Sequence, residues 1–209
     1  MKTIKPPIVR LKNWDEIHSF QKRDWVFRGQ RSEDWKLITS LERCCIRERI
    51  EPRNWSDIES ELIRDFKRTY HHYDQHIPPD HATIEWISLM QHHGAPTRLL
   101  DFTYSVYVAA YFALEHADND CAIWAMNCRW ILHQARNAYQ NCKMEAGNRL
   151  VARTDSNHEF DFNKLLFEPP YVKTAFNVTP YTLNRRLRTQ LGTFVTPGSL
   201  ECTFMENLS

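Results

Sequence analysis

Gln91-His92-His93-Gly94-Ala95-Pro96-Thr97-Arg98-Leu99-Leu100-Asp101-Phe102-Thr103 decides how this chain is read. In residues 83–93, leading into it, Ile84, Ile87, Leu89 and Met90 fall in a helical pattern. Gly94 is placed to end that helix, and Pro96 follows as a stop. Residues 98–103 then read as extended. The passage carries two His, an Arg, an Asp and two Thr through a region otherwise built like core. A buried charge is destabilising unless it is paired. Arg98 and Asp101 are therefore expected to pair with each other or with a ligand. His92 and His93 are neighbours, so they point about 100° apart on a helix and do not hold one ion together. No metal is expected.

Upstream, Trp25-Val26-Phe27-Arg28-Gly29-Gln30 reads as a strand that stops at Gly29. Arg28 offers a planar fork suited to phosphate or carboxylate. Gly29 leaves room for a ligand to approach the backbone. Residues 14–22 read as a short helix, and a second runs from Thr39 or Ser40 to about Ile50. Ser56-Asp57-Ile58-Glu59 reads as a capping box. The stripe Ile58, Leu62, Phe66, Tyr70 follows, in a long amphipathic helix reaching about Tyr73.

Downstream, residues 104–115 read as a dense apolar helix in which Ala109, Ala110 and Ala113 permit close packing. Residues 121–126 are the best buried-strand candidate, and 129–153 look helical. Residues 155–180 read as irregular, broken by Pro169-Pro170 and Pro180. Strands near 192–196 and 200–205 close the chain. Arg188-Thr189-Gln190-Leu191-Gly192-Thr193-Phe194 is a third polar segment, with Gln190 and Gly192 at the lip of a strand. Gln190 can hold a ligand amide or hydroxyl by two complementary bonds. Of the five glycines, 29, 94, 192 and 198 lie in or beside the three polar segments, and only Gly147 stands apart. That concentration is a reason to expect the segments to meet.

The elements predict an α+β fold, a small mixed or antiparallel sheet with several flanking helices. With no repeat, low-complexity tract or clear linker, residues 1–209 are expected to form a single domain. The net charge of +1 argues against a protein that coats a polyanion, and no strong nucleic-acid signal is present. It leaves room for a small basic pocket. The chain has no apolar run of membrane length and no leader-like start. Its six Cys show no CxxC pairing and read as reduced structural thiols. The expected location is cytoplasmic.

The order of these motifs, with Ala109-Ala110-Tyr111-Phe112-Ala113, a strand at 122–124 and Gln190-Leu191-Gly192-Thr193-Phe194, resembles the FRG domain. That family is named for its Phe-Arg-Gly tripeptide, and the resemblance spans about residues 20–196. It implies a bacterial or phage setting, often defence- or toxin-like. A weaker similarity is to ADP-ribosyltransferases of the Arg-Ser-Glu type, and it implies a split sheet and NAD as substrate. In that reading Arg28 binds the pyrophosphate, and Thr103 or Gly29 holds the nicotinamide or its ribose. Asp101 or Glu201 stabilises the oxocarbenium-like charge as nicotinamide leaves. Gln190 stands where that class carries its catalytic Glu. Gln30, His93, Thr97, Arg98, Ser105 and Phe194 complete the candidate lining. The implied outcome is ADP-ribosyl transfer or NAD glycohydrolysis, with an unidentified acceptor. A nucleotide-sensing module without turnover is the alternative, favoured by Gln190. A third reading makes Arg28, Arg98 and Asp101 a structural network.

Overall fold

The structure is a computed structural model, and it describes residues 7–75, 77–144, 162–182 and 185–209. Five strands form one sheet: β1 Trp25–Gln30, β2 Leu100–Thr103, β3 Ala122–Asn127, β4 Ala175–Val178 and β5 Gly192–Pro197. Their order is β3-β1-β2-β5-β4, every neighbouring pair is antiparallel, and the sheet curls into a half-barrel. The fold is α+β, as the sequence predicts.

The described helices are α1 Ser40–Arg47, α2 Trp55–Tyr70, α3 Thr83–His92, α4 Val106–Leu114, α5 Cys128–Asn141, α6 Asn163–Leu166, α7 Arg185–Thr189 and α8 Phe204–Asn207. Residues Trp14–Phe20 form a 3-10 helix. Starts are set by side chains that accept orphan helix N–H groups. Thr39 accepts from Glu42 at 3.1 Å, Ser105 from Val108 at 3.4 Å, and Asn127 from Trp130 at 2.9 Å. Gly94 closes α3 with φ +84°, a conformation most side chains resist.

Strand alternation sorts the core. From β1, Phe27 goes to one face, where it packs with Ile17, Val106, Ala109 and Ala110 under α4. Val26 goes to the other, with Leu37, Leu100, Phe102, Met126, Ala175, Val195 and Phe204, a cluster fed by all five strands. At the β4–β5 end, Phe176, Val178 and Phe194 pack against Ala135 and Tyr139 of α5 and Leu187 of α7.

Four local expectations need correction. Within the stretch read as irregular, Ala175–Val178 form β4, too short a run to show beside Pro170 and Pro180. Residues 200–205 do not form a strand. The chain turns there into α8, where Thr203 and Glu206 make a reciprocal capping box. Leu200, Cys202 and Phe204 alternate in the sequence like a strand, yet all three are buried around a turn. No capping box opens α2, which starts at Trp55 without a side-chain cap bond. The helix read over 129–153 ends at Asn141, and its last predicted residues, 145–153, lie outside the described ones.

Candidate functional site

The sheet opens between β1 and β2. The register there is a single pair, Phe27 with Thr103, whereas β1 and β3 are paired at six consecutive positions from Trp25 to Gln30. Beyond Phe27, Arg28, Gly29 and Gln30 have a strand on one side only. Tyr104 donates to Leu191 on the β5 side at 2.9 Å. By the alternation of an antiparallel strand, the polar backbone of Asp101 then faces β1. Its carbonyl accepts from Arg28 Nη1 at 2.8 Å. The guanidinium thus bridges the notch where the strands part.

Arg28 is half-buried, and its Nε is buried with no hydrogen-bond partner among the described residues. Burial lowers its pKa, the nearby Asp101 charge opposes that shift, and Arg43 of α1 adds to it. At neutral pH the group is still a cation. The site therefore has a positive floor with an unused donor, a second Arg beside it, and a carboxylate at the rim. Asp101 is exposed. Its neighbours Leu100 and Phe102 belong to the cluster that holds Val26, so alternation sends Asp101 to the face opposite Arg28.

Gly29 is needed for a reason other than ligand approach. A Cβ there would stand 2.0 Å from the carbonyl oxygen of Ala109 and 2.6 Å from the amide of Ala113. The space beside its backbone is filled by α4. Ala109 and Ala113 are the small residues that let the helix come so close.

Arg98 does not pair with Asp101. It is fully buried, and Glu59 of α2 takes it in a two-point grip: Nε to Oε2 at 2.5 Å and the backbone N–H to Oε1 at 2.9 Å. Nη1 donates to the Leu166 carbonyl at 3.1 Å, and the guanidinium carbon lies 4.6 Å from the Phe167 ring centre. Sequence reasoning missed Glu59 because it read this carboxylate as part of a helix cap. The available signal was its place one turn before Ile63, on the buried side of α2. Arg43 was missed as well. It lies on an ordinary helix, and only the fold brings it near Arg28.

The other sequence candidates fall into three groups. Thr103 and Gln190 meet, since Thr103 Oγ1 donates to the Gln190 carbonyl at 2.7 Å and accepts from Ser105 N–H at 3.1 Å. The Gln190 side chain accepts from Arg186 at 3.4 Å. Ser105 caps α4. This trio lies at the closed end of the β1–β2 seam, one residue pair from Arg28. Gln30 and Thr97 are buried and committed to internal bonds. Gln30 accepts from Trp124 Nε1 at 2.8 Å and donates to the Lys36 carbonyl at 3.2 Å. Thr97 donates to Gln91 at 2.7 Å, and its amide donates to Ser40 Oγ at 2.9 Å. Phe194 is core. His93 is exposed and packs against the rings of Phe66 and Tyr70, with centres 5.8 and 5.9 Å away. Glu201 is exposed, with its amide on Ser199 Oγ at 3.2 Å, in the turn between β5 and α8.

A cavity of about 170 Å³ lies elsewhere, lined by Ser60, Ile63, Lys67, Thr83, Asn163 and Phe167, and it includes none of the sequence candidates. Among the described residues, no three His, Cys, Asp or Glu side chains are grouped to hold a metal ion, and no helix is long and apolar enough to cross a membrane.

No curated protein and no solved structure matches the chain. A family model does match, over residues 23–121. The matched stretch begins just before β1 and ends just before β3, so it contains both sides of the notch: Arg28, Gly29, Asp101 and the α4 alanines that Gly29 receives. The family that this model describes is the FRG domain, and the similarity covers residues 23–121 of the chain.

Proposed function

We propose that the notch between β1 and β2 binds NAD and that the chain is an ADP-ribosyltransferase-like enzyme. The observation that carries this reading is Arg28, a cation held at the fork of a split sheet with a buried Nε that has no partner among the described residues. A pyrophosphate would take that donor and profit from the second charge on Arg43. The Asp101 carboxylate lies on the other face of the sheet at the same notch, so the ribose would reach it through the gap between β1 and β2. In the reaction, the bond between nicotinamide and the ribose C1′ breaks, and its electron pair leaves with nicotinamide. The Asp101 carboxylate stabilises the oxocarbenium-like ribose. A water or acceptor hydroxyl then bonds to C1′ and releases its proton.

The second reading is binding without turnover, and Gln190 favours it. An amide stands where the transferase pattern has a carboxylate, and its carbonyl and side chain are already occupied by Thr103 and Arg186.

One experiment separates the readings. Purified protein is melted with NAD, ADP-ribose and ATP, and nicotinamide release is followed by chromatography. NAD-dependent stabilisation with release, lost in Asp101→Asn, supports the enzyme. Stabilisation without release supports the binding module. Neither stabilisation nor release ends both.

A further inference from the structure

We propose that the surface formed by the outer side of α4 and the turn before β5 binds single-stranded nucleic acid. Tyr104, Tyr107 and Tyr111 are 39%, 40% and 58% exposed, unusual for three large rings on one short segment. Tyr107 and Tyr111 are four residues apart on α4, on one face and about 6 Å apart along the axis. Two hydrogen bonds, one to the 3-10 helix and one within a turn of α4, fix the rings in place. Tyr107 Oη is 2.7 Å from His18 Nδ1, and Tyr111 Oη donates to Glu115 at 2.8 Å.

Cations flank the rings on both sides. Gln21 Nε2 donates to the Tyr104 carbonyl at 3.1 Å, and Gln21 Oε1 accepts from the Val106 amide at 2.9 Å. That brings the exposed Lys22 and Arg23 alongside. The Tyr104 amide donates to Leu191 at 2.9 Å, which brings the exposed Arg186 and Arg188 of α7 to the other side. Of the acids nearby, Asp24 is taken by Arg129 at 3.0 Å, and Glu115 accepts from the Tyr111 hydroxyl. The whole chain is almost neutral, but charge acts locally. Exposed rings between two short basic edges are the arrangement that binds unpaired bases and their phosphates. Tyr107 and Tyr111 stand about 6 Å apart along the helix axis, more than the roughly 3.4 Å rise of a duplex strand, which suits single rings taking single bases from an extended strand.

The surface is separate from the notch reading and is tested without NAD, so either can fail alone. Anisotropy of labelled mixed-sequence RNA and DNA of about 12 nucleotides, with a duplex of the same length, is measured in roughly 50 and 200 mM salt. Single strands are expected to bind, with the duplex at least about tenfold weaker. Y104A/Y111A is expected to weaken binding about tenfold or more, at roughly one stacked base per ring. Y104F/Y111F should retain it. R186Q/R188Q should weaken all single strands alike and reduce the log–log salt slope by about 1.4. All these side chains are exposed; if the double alanine variant melts early, the two single variants replace it.

The proposal is overturned by no binding at about 100 μM, the weak end of non-specific affinity. It is equally overturned by binding that survives loss of both rings, or by a duplex bound as tightly. Equal competition by an acidic polypeptide would make the surface a plain charge patch. A self-association that Y104A/Y111A abolishes would make it a contact between copies. Each of those results also removes the proposal.

Discussion

Arg28 Nη1 donates to the main-chain carbonyl of Asp101 at 2.8 Å, in the gap where β1 and β2 have ceased to pair. A side chain therefore does what a strand amide does elsewhere in the sheet. Replacing Arg28 with Gln keeps a donor but removes the charge, and replacing it with Ala leaves the carbonyl without this donor. Arg28→Ala is expected to lower stability by about 1–3 kcal/mol, the range for leaving an acceptor without its partner. Arg28→Gln should lower it less. Both should abolish any thermal shift caused by NAD or ADP-ribose. A variant that loses stability but keeps the full ligand shift would place the ligand elsewhere. Urea midpoints and melts with and without nucleotide provide both readings.

Gly29 and Gly94 look alike in the sequence and differ in structure. At Gly29 a methyl group would meet helix backbone, which cannot rotate away. Gly29→Ala is expected to destabilise by about 3 kcal/mol or more, at or above the usual range for overpacking. At Gly94 there is open space, and only the positive φ opposes a side chain. Gly94→Ala is expected to lose about 1 kcal/mol. Melting both variants side by side decides the matter. An equal effect would mean that α4 does not sit on β1 as described.

Much of the framework could be read from residue pattern. The strands β1, β3 and β5 and the helices α3 and α4 follow from apolar periodicity and from breakers such as Gly94 and Pro96. The sequence also marked Gly29 as special, because a strand seldom carries a bare backbone without cause. What it did not reveal was the neighbour. Whether a ligand or a helix fills that space depends on where α4 folds back, and residues 106–114 say only that they are small and apolar. Arg98 teaches the same point. Its need for a partner was legible, since a core segment cannot bury an unpaired charge. The choice between Asp101, three residues away, and Glu59, on another helix, depends on tertiary packing. The weak spots were the shortest elements. Four residues of β4 and four of α8 hold too few periods to distinguish strand from turn.

The Glu59–Arg98 pair sits at 0% exposure on both sides, and this sets its response to mutation. Removing one partner leaves the other charge buried, which typically destabilises by about 3–5 kcal/mol. Glu59→Ala is expected to fall in that range and to lose the bond to the Arg98 amide as well. The double variant Glu59→Leu with Arg98→Met should recover much of the loss, because an apolar pair of similar volume avoids the desolvation of two ions. Urea unfolding of the single and double variants measures this. If the double variant is as unstable as Glu59→Ala, the pair does more than balance charge. The Arg98 bond to Leu166 would then be the place to look.

Glu42 provides a test that depends on pH. Its carboxylate is 4% exposed and accepts from the Phe204 amide at 3.0 Å, joining α1 to the start of α8. Burial raises its pKa above the ordinary value; the bonds from Phe204 and Thr39 oppose this, Glu206 adds to it, and Arg43 opposes it. With the folded pKa raised, the native state holds this proton more tightly than the unfolded chain does. Stability is then lost as pH rises from the ordinary carboxylate range through the raised folded value. Glu42→Gln cannot titrate and keeps an oxygen for Phe204. It is therefore expected to be more stable than the native chain at neutral pH, with the advantage shrinking towards about pH 4 and below. Glu42→Ala loses the acceptor and should be destabilised throughout. The readout is the difference in melting temperature between Glu42→Gln and native protein across that pH range, which cancels the carboxylates common to both. A difference that stays constant would mean that Glu42 titrates normally, and that its bond to Phe204 outweighs its burial.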